Sequence, residues 1–485
     1  MSFTSPDFLF FFLIVFGVIF LAPQQLRSTF LTVFSILFCY FSQPDSIYYI
    51  CTVGIVAYLG GLTIGFVRHK FLWLIVLLSL FVFAFFYFKF LDYLIHNFSS
   101  INTEQGGIDI SKIFIPIGIS FYFFQTIGYL IDVYNEQNAP EKNVTNIFFY
   151  LFYFPKLLSG PIEKYKNFTE NTKVIKRLTY VNLVLALRLI LWGYFKKIAI
   201  ADYLNISVTN VFSHTQQFSG ISFFIAAFFY AIIAYCDFSG YTDLARGYSR
   251  LLGIELSQNF NRPYLSKSVT EYWRKWHMSL IGWFNEYLYT PIVFTFRSIG
   301  LTSVIIGILV VFALSGLWHG FALTYLVWGL LQAFAIIYEL KTRKFRDKYF
   351  TKSSYFRKFA LGTIFTVLFA VFTDVFFRAE SLSAALAIYQ KMFSGMIVSI
   401  GEIISNKNLS RQHILYLGQD AFYFLSCCAF ILLLFIIEYI QRNDAIEILP
   451  DRVSPITRWF FYYTILLVIA FYGNVGNGSF IYFGF

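Results

Sequence analysis

The chain has 485 residues, of which 58% are hydrophobic and only 13% are charged, and its mean hydropathy is +0.65. Soluble globular domains carry about 25% charged residues, so this composition excludes that class and indicates a membrane protein. The 37 basic residues exceed the 26 acidic ones, giving a net charge of +11. We attribute most of this charge to membrane topology and a smaller part to attraction of anionic substrates or lipids. It does not require a nucleic-acid partner, and we expect none.

Uncharged runs recur along the chain and predict membrane helices. These runs are Phe8–Gln25, Ser28–Gln43, Ile47–Val67, Phe71–Phe88, Ile113–Ile131, Phe218–Cys236, Leu301–Tyr338, Phe359–Thr373, Ala421–Ile437 and Trp459–Ile481. Val181–Ile200 is a further candidate, interrupted by Arg188 and by the pair Lys196 and Lys197. Several runs are shorter than the ~20 residues of a straight span, which favours tilted, broken or re-entrant helices. The sequence therefore predicts an all-α polytopic membrane protein with about 10–12 crossings.

Basic segments predict which loops face the cytoplasm. Lys341–Lys358 contains eight basic residues and one acidic residue, Asp347, and such clusters mark cytoplasmic loops. Counting crossings from this segment places Arg68–Lys70, Lys156–Arg177 and Arg262–Lys275 on the same side, with the N-terminus outside. The five cysteines lie mostly in apolar runs without the spacing of metal ligands. We expect no metal site and no bound cofactor.

A single histidine interrupts the longest uncharged stretch. Leu301–Tyr338 contains no lysine, arginine, aspartate or glutamate, and His319 lies near its centre. As helix the stretch would be about 57 Å long, enough to cross a hydrocarbon core of roughly 30 Å twice. An ionisable group at membrane depth is costly and usually serves a function. The alternative is a buried neutral imidazole that is hydrogen-bonded between two helices.

A polar and aromatic block at residues 237–300 contains the other candidate site residues. Asp237 directly follows an apolar run; it could orient a histidine, pair with Arg246 or Arg262, or cap a helix. Asn261 and Arg262 could hold phosphate or amide groups of a donor, although Arg262 could also be a topology-determining charge. Tryptophans Trp276 and Trp318 could line an acyl channel, with anchoring at the membrane interface as the alternative for Trp276.

Several motifs, taken in order, resemble the membrane-bound O-acyltransferase family. The segments that carry the resemblance are Ile115–Thr126, Phe154–Lys156, Ser159–Ile162, Asp237–Tyr241, Asn259–Tyr264, Trp273–Leu280, Gly316–Gly320 and Phe480–Phe485. More narrowly, they are similar to the bacterial branch that contains alginate O-acetyltransferase and the related acyltransferases of peptidoglycan and teichoic acid. The similarity covers nearly the whole chain and is weakest at residues 378–457.

The resemblance implies a single membrane domain over residues 1–485, built as a helical bundle with a central funnel. The N-terminal spans would lie in 1–112, the catalytic core in 113–340 and the C-terminal spans in 341–485. His319, in the Gly-Leu-Trp-His-Gly motif, would be the catalytic residue, and His277 the second histidine. A cytoplasmic thioester, acetyl-CoA in our interpretation, would supply the acyl group. An extracytoplasmic polysaccharide hydroxyl would receive it, with a partner of the SGNH-hydrolase type, in the inner membrane of a bacterium.

Acyl transfer from a thioester to an alcohol needs a base for the hydroxyl proton and a donor for the developing oxyanion. Histidine suits the first task and can return the proton to the leaving thiolate. For His277 the sequence leaves three roles open: a second acid or base, an oxyanion donor, or a structural residue. The runner-up class is a transporter or flippase, but the chain lacks the paired interrupted segments that many transporters show. A non-catalytic scaffold for polysaccharide export is the third possibility.

Overall fold

The computed structural model describes residues 1–98, 115–218, 220–350, 355–405, 411–441, 451 and 453–473, and this part of the chain is helical without any strand. The motif Phe480–Phe485 and residues 351–354 of the basic segment Lys341–Lys358 lie outside the described residues. The α-helices are, in chain order, α1 Pro6–Leu21, α2 Arg27–Ser42, α3 Ser46–Ile64, α4 Lys70–Phe98, α5 Ile119–Tyr134, α6 Val144–Phe152, α7 Phe154–Leu157, α8 Tyr165–Thr172, α9 Tyr180–Tyr194, α10 Asp202–Ser213, α11 Ile221–Leu251, α12 Val269–Trp273, α13 Met278–Phe284, α14 Thr290–Thr295, α15 Leu301–His319, α16 Leu323–Phe350, α17 Tyr355–Arg378, α18 Leu382–Ser394, α19 Met396–Ser405, α20 Ala421–Ile440 and α21 Pro455–Tyr472.

Eight described helices are long and apolar enough to cross a membrane, which confirms the all-α polytopic class. They are α3, α4, α11, α15, α16, α17, α20 and α21. The pair α18 and α19 would be a ninth span, bent by 48° at its break. This number is below the predicted 10–12 because α1, α2 and α5 have only 16 residues each. At 1.5 Å per residue such a helix is about 24 Å long, short of the hydrocarbon core.

Helix α11 forms the centre of the bundle. In its most apolar 18-residue window, 72% of the residues are buried, against 6% for α21 at the periphery. A helix that is buried over most of its surface must be surrounded by other helices. The outer helices instead expose large side chains such as Phe10, Phe83 and Phe471, as lipid-facing surfaces do. The site described below therefore lies among helices that surround α11.

Broken helices separate the regular spans, as the short apolar runs predicted. Between α11 and α15 the chain forms only short elements, among them a 3-10 turn at Pro263–Leu265 and a π-helix at Asn285–Tyr289. A second π-helix, Phe195–Ala201, joins α9 to α10. π-Helical turns shift the helix phase and are frequent at functional sites. In Phe195–Ala201 the side chains of Lys196 and Lys197 face the protein interior.

Candidate functional site

The hairpin of α15 and α16 places His319 at the turn between two spans. The uncharged stretch Leu301–Tyr338 does form two spans, and α15 ends on His319. Glycines bring the helices close together: a Cβ at Gly316 would lie 2.4 Å from the Tyr325 carbonyl oxygen, and one at Gly329 2.3 Å from that of Phe312. His319 is 5% exposed. It therefore lies at the end of a span, fixed in a closely packed turn.

His277 is positioned by the irregular chain around it. It has a left-handed backbone, with φ of 44°, and precedes α13. The residues that follow it are tied to Asn259, because Met278 N donates to the Asn259 carbonyl at 2.9 Å and Ser279 Oγ donates to the Asn259 side-chain Oδ1, also at 2.9 Å. These bonds fix where α13 begins. The ring of His277 is 2% exposed and points away from lipid.

One small cavity brings four of the predicted site residues together. His277, His319, Trp276 and Trp318 all line a space of about 40 Å³, enough for a few small molecules such as water. The Trp318 ring contacts both imidazoles, with centroid distances of 6.0 Å to His277 and 4.4 Å to His319. The remaining lining residues are Tyr230, Ala234, Tyr272, Trp273, Leu280, Ser315, Trp328, Gln332, Ala370, Asp374 and Phe377. A mainly aromatic space with two imidazoles can hold a small reacting group and exchange protons with it.

Asp237 takes part in a different arrangement from those we considered. It lies in the middle of α11, so it does not cap a helix, and it is not among the residues that line the histidine cavity. Its Oδ1 is 2.5 Å from Lys197 Nζ, which also contacts Asp202 at 2.8 Å. The adjacent Lys196 pairs with Asp243 at 2.6 Å. The lysines that interrupt the apolar run Val181–Ile200 are thus internal ion-pair partners.

Asn261 and Arg262 do not line the histidine cavity. The backbone N–H of Asn261 donates to the Lys275 carbonyl at 2.9 Å, so this residue helps to hold the chain that leads to His277. Arg262 has a left-handed backbone, with φ of 50°, at the start of the turn Pro263–Leu265. Their predicted role in binding a donor remains a prediction.

Sequence reasoning missed a carboxylate in the histidine cavity. Asp374 of α17 is the only aspartate or glutamate among the described residues that line it, and it accepts a hydrogen bond from Trp328 Nε1 at 3.3 Å. The signal was available, because Asp374 directly follows the run Phe359–Thr373 just as Asp237 follows another. Gln332, also missed, accepts from Trp273 Nε1 at 3.1 Å and donates to Thr373.

A larger cavity, of about 250 Å³, lies on the other side of α13. Met278, Ser279, Gly282 and Trp283 line it from α13 itself. The remaining lining residues are Phe124, Gln125, Gly128, Tyr150, Ile162, Glu163, Lys164, Tyr165, Asn167, Ser257, Gln258 and Tyr287. Helix α13 therefore separates the histidine cavity, which is mainly aromatic, from the larger cavity, which is rich in amide and hydroxyl groups.

Behind the larger cavity lies a buried lysine. Lys156, the first residue of a segment predicted to be a cytoplasmic loop, is fully buried. Its ammonium donates to Gln125 Oε1 and to the Tyr150 carbonyl, and it lies 4.6 Å from the centre of the Tyr150 ring. This lysine therefore acts within the protein, so at least one charge of the Lys156–Arg177 segment is not a surface charge.

Two comparisons with known proteins, one with family models and one with individual proteins, agree with each other. The model of the MBOAT, membrane-bound O-acyltransferase family matches residues 61–379. A Pseudomonas putida protein named probable alginate O-acetylase AlgI is 31% identical over 416 residues, covering 81% of this chain and 80% of the relative. The Helicobacter pylori peptidoglycan O-acetyltransferase is 31% identical over 68% of this chain and 65% of its own. The Bacillus subtilis teichoic acid D-alanyltransferase is 28% identical over 45% of this chain and 57% of its own.

Proposed function

Because the chain belongs to the membrane-bound O-acyltransferase family, we propose that it transfers an acetyl group from a cytoplasmic thioester to a hydroxyl of an exported polysaccharide. The observation that carries this proposal is the shared cavity of His277 and His319, two histidines from separate elements enclosed by tryptophans. A largely aromatic site of this kind strengthens electrostatic interactions between the reacting groups, because its surroundings are less polar than water. His319 is the base in this proposal.

The position of His319 in the hairpin supports delivery to the far side of the membrane. Helix α16 begins at Leu323, next to the His319 turn, and carries Lys341, Arg343, Lys344 and Arg346 near its other end. About 20 residues separate the two ends, or roughly 30 Å of helix. If the basic end faces the cytoplasm, as the positive-inside rule predicts, His319 lies toward the extracytoplasmic surface. A hydroxyl outside the cell would then be within its reach.

For the donor we infer acetyl-CoA, used as a substrate without a bound cofactor. Its phosphates favour a basic cytoplasmic surface, and the Arg262–Lys275 segment supplies such charges. Arg274 is exposed there, whereas Lys275 is held 2.7 Å from Glu271. The amide- and hydroxyl-lined cavity beside α13 offers hydrogen-bond partners for the amide-containing arm of such a donor. The thioester would then lie closest to the histidines.

For the acceptor we infer an alginate-like exopolysaccharide, in the inner membrane of a bacterium. The named activity of the Pseudomonas putida relative, which the chain matches over 80% of that relative's length, supports this choice. The peptidoglycan acetyltransferase of Helicobacter pylori, equally identical over a shorter region, makes peptidoglycan the second candidate. D-alanylation of teichoic acid is the third. We further propose that an SGNH-type partner completes transfer outside the membrane.

The test replaces His319 with glutamine, which is similar in size and polar but cannot act as a base. Acyl content of the exported polymer, normalised to membrane-inserted protein, should fall by about 10²–10⁴-fold. The exposed His214, whose ring is hydrogen-bonded to the Asn210 carbonyl, gives the control: His214→Gln should leave acylation unchanged. Acylation near the wild-type level in His319→Gln would refute the proposed role of this histidine.

A further inference from the structure

The hydrogen bond inside the first turn of α13 determines which tautomer His277 adopts. The backbone N–H of Leu280 donates to His277 Nδ1 at 3.3 Å. A backbone N–H can only donate, so Nδ1 must present a lone pair and cannot carry a proton. In a neutral imidazole the proton then resides on the other nitrogen. His277 is therefore neutral with its hydrogen on Nε2.

That Nε2–H group has no hydrogen-bond partner among the described residues, although the side chain is 98% buried and lines the cavity shared with His319. Aromatic rings surround the imidazole: Phe238 lies 4.7 Å away between centroids and Trp318 6.0 Å away. Native proteins rarely leave a buried donor unsatisfied, and an exception calls for a bound group that accepts the bond. The acceptor expected here is an atom of the reacting substrate.

We propose that His277 is the oxyanion donor of the acyl transfer and that His319 alone acts as its base, an inference that rests on the function proposed above. The acceptor hydroxyl attacks the thioester carbonyl and forms a C–O bond while His319 takes the hydroxyl proton. The carbonyl electron pair moves to oxygen, where His277 Nε2–H stabilises the negative charge. When the C–S bond breaks, the carbonyl re-forms and His319 returns its proton to the thiolate. No other reactant is needed.

The tautomer also argues against a second base. To remove a proton, an imidazole needs a free lone pair, and the only lone pair of His277 is already used by Leu280 N–H. Acting as a base would require His277 to break the bond that begins α13. The bonds from Met278 and Ser279 to Asn259 hold the turn that follows His277 in place, and the residue keeps its left-handed backbone there. The two histidines therefore have different tasks despite sharing one cavity.

Asparagine and glutamine separate the two functions of His277. In His277→Asn, Oδ1 takes the place of Nδ1 and can still accept from Leu280 N–H, and asparagine tolerates a left-handed backbone. This variant keeps the hydrogen bond from Leu280 N–H and loses the donor group that occupies the position of Nε2. In His277→Gln the amide N–H₂ reaches about as far as Nε2, which keeps a donor without any basicity. The exposed His214 provides the matched control, His214→Asn.

The experiment measures steady-state acetyl transfer from radiolabelled acetyl-CoA in membranes, at equal amounts of inserted protein and across pH. We expect His277→Asn to lower kcat by about 10²–10³-fold with KM for the donor little changed. His277→Gln should recover part of that loss, and His214→Asn should behave as wild type. The acid limb of the pH profile should remain in the His277 variants, because His319 sets it.

Three results would overturn the inference. Full activity of His277→Asn would show that His277 is only a cap, and loss of the acid limb in His277→Gln would show that it is the base. A His277→Gln variant no more active than His277→Asn would mean that no donor is needed there. In each case wild-type transfer and its loss in His319→Gln would leave the proposed function standing. Wild-type membranes inactive with every acetyl thioester tested would instead refute the proposed function itself.

Discussion

Individual charged residues in the interior of this protein are stabilised by close partners, and Lys197 is the clearest case. Its ammonium lies 2.5 Å from Asp237 and 2.8 Å from Asp202, and all three side chains are buried. Removing one member of a buried ion cluster leaves the others uncompensated in a medium of low dielectric. The role of Asp237 is therefore better explained by its partner than by the histidines.

Replacing Lys197 with methionine should strongly destabilise the protein. Two buried carboxylates would lose their cation, at a cost of about 3–5 kcal/mol. The control is Lys70→Met, because Lys70 and Glu136 are 46% and 83% exposed and 3.8 Å apart, and such pairs contribute about 1 kcal/mol or less. The measurement is the temperature at which detergent-extracted protein loses its monodisperse peak. Equal transition temperatures for both variants would contradict this account.

The sequence predicted some residues of the site and not others, for identifiable reasons. His319 was found because it interrupts an uncharged stretch, His277 followed from the family resemblance, and Trp276 and Trp318 from the motifs around the two histidines; the structure brings all four together. The ion-pair partner of Asp237, Lys197, could not be predicted from the local sequence. It depends on the π-helix Phe195–Ala201, whose extra residue per turn rotates Lys197 toward α11 and leaves no periodic signal.

At the scale of elements, a carboxylate from one span holds the segment that leads to His277. Glu339 of α16 accepts from the backbone N–H groups of Val269 and Thr270 at 2.7 and 2.9 Å, and from Thr270 Oγ1 at 2.6 Å. It thereby satisfies the otherwise free N–H groups at the start of α12. This contact spans 70 residues of sequence, which is why no local pattern predicted it.

Glu339→Gln should loosen the start of α12. An amide offers one acceptor oxygen where the carboxylate has two, so at least one N–H bond is lost, at about 1–3 kcal/mol for a buried group. Hydrogen exchange at Val269 and Thr270 should accelerate, and acyl transfer should fall because His277 is held less firmly. The exposed Glu380 gives the control, Glu380→Gln. Unchanged exchange at both amides would mean that Glu339 does not anchor this segment.

Helix α21 is attached to α9 by a contact that depends on pH. Arg188 donates to both Asp451 carboxylate oxygens, at 2.8 and 2.7 Å, and to Tyr462 at 2.7 Å. The hydrogen bond from Arg188 lowers the pKa of Asp451. A carboxylate whose folded pKa is depressed stabilises the fold above its unfolded pKa of about 3.9 and loses that contribution as pH falls through the folded value.

Acid should therefore loosen the attachment of α21 to α9, which the hydrogen bond from Arg188 to Tyr462 still holds. The ion pair should be intact at pH 7 and weaken below the ordinary aspartate pKa of about 3.9, as pH falls through the lowered pKa of Asp451. Because Asp451 is half exposed, we expect a modest effect, reduced further by salt. The measurement is the distance between spin labels at the exposed positions Leu187 and Tyr463. Asp451→Asn should show the acid distance distribution at pH 7; a distribution that does not change with pH would exclude this mechanism.

For the whole molecule, the orientation of the α15–α16 hairpin decides on which side acyl transfer ends. Leu323 at one end of α16 is 65% exposed, and Lys344 near the other end is also exposed. These two positions report opposite surfaces of the membrane if α16 spans it. The number of crossings before α16 does not affect this comparison.

Cysteines at these two positions should be labelled from opposite sides. In a background with Cys51 and Cys428, the partly exposed cysteines, replaced by serine, Leu323→Cys should react with an impermeant maleimide in intact cells. Lys344→Cys should react only after the membrane is opened, because its basic segment faces the cytoplasm. The reverse labelling would invert the proposed direction of transfer. Labelling of both from one side would show that α16 does not cross.

The glycines between α15 and α16 have a consequence for how turnover is limited. Where Gly316 and Gly329 meet the facing backbone, no side chain exists whose rotation would allow the helices to slide. His319 is thus part of a rigid body, and the acyl group has to travel to it. The rate should then follow the arrival and departure of substrates, slowing with membrane viscosity. A disulfide that locks the two helices together should leave it unchanged.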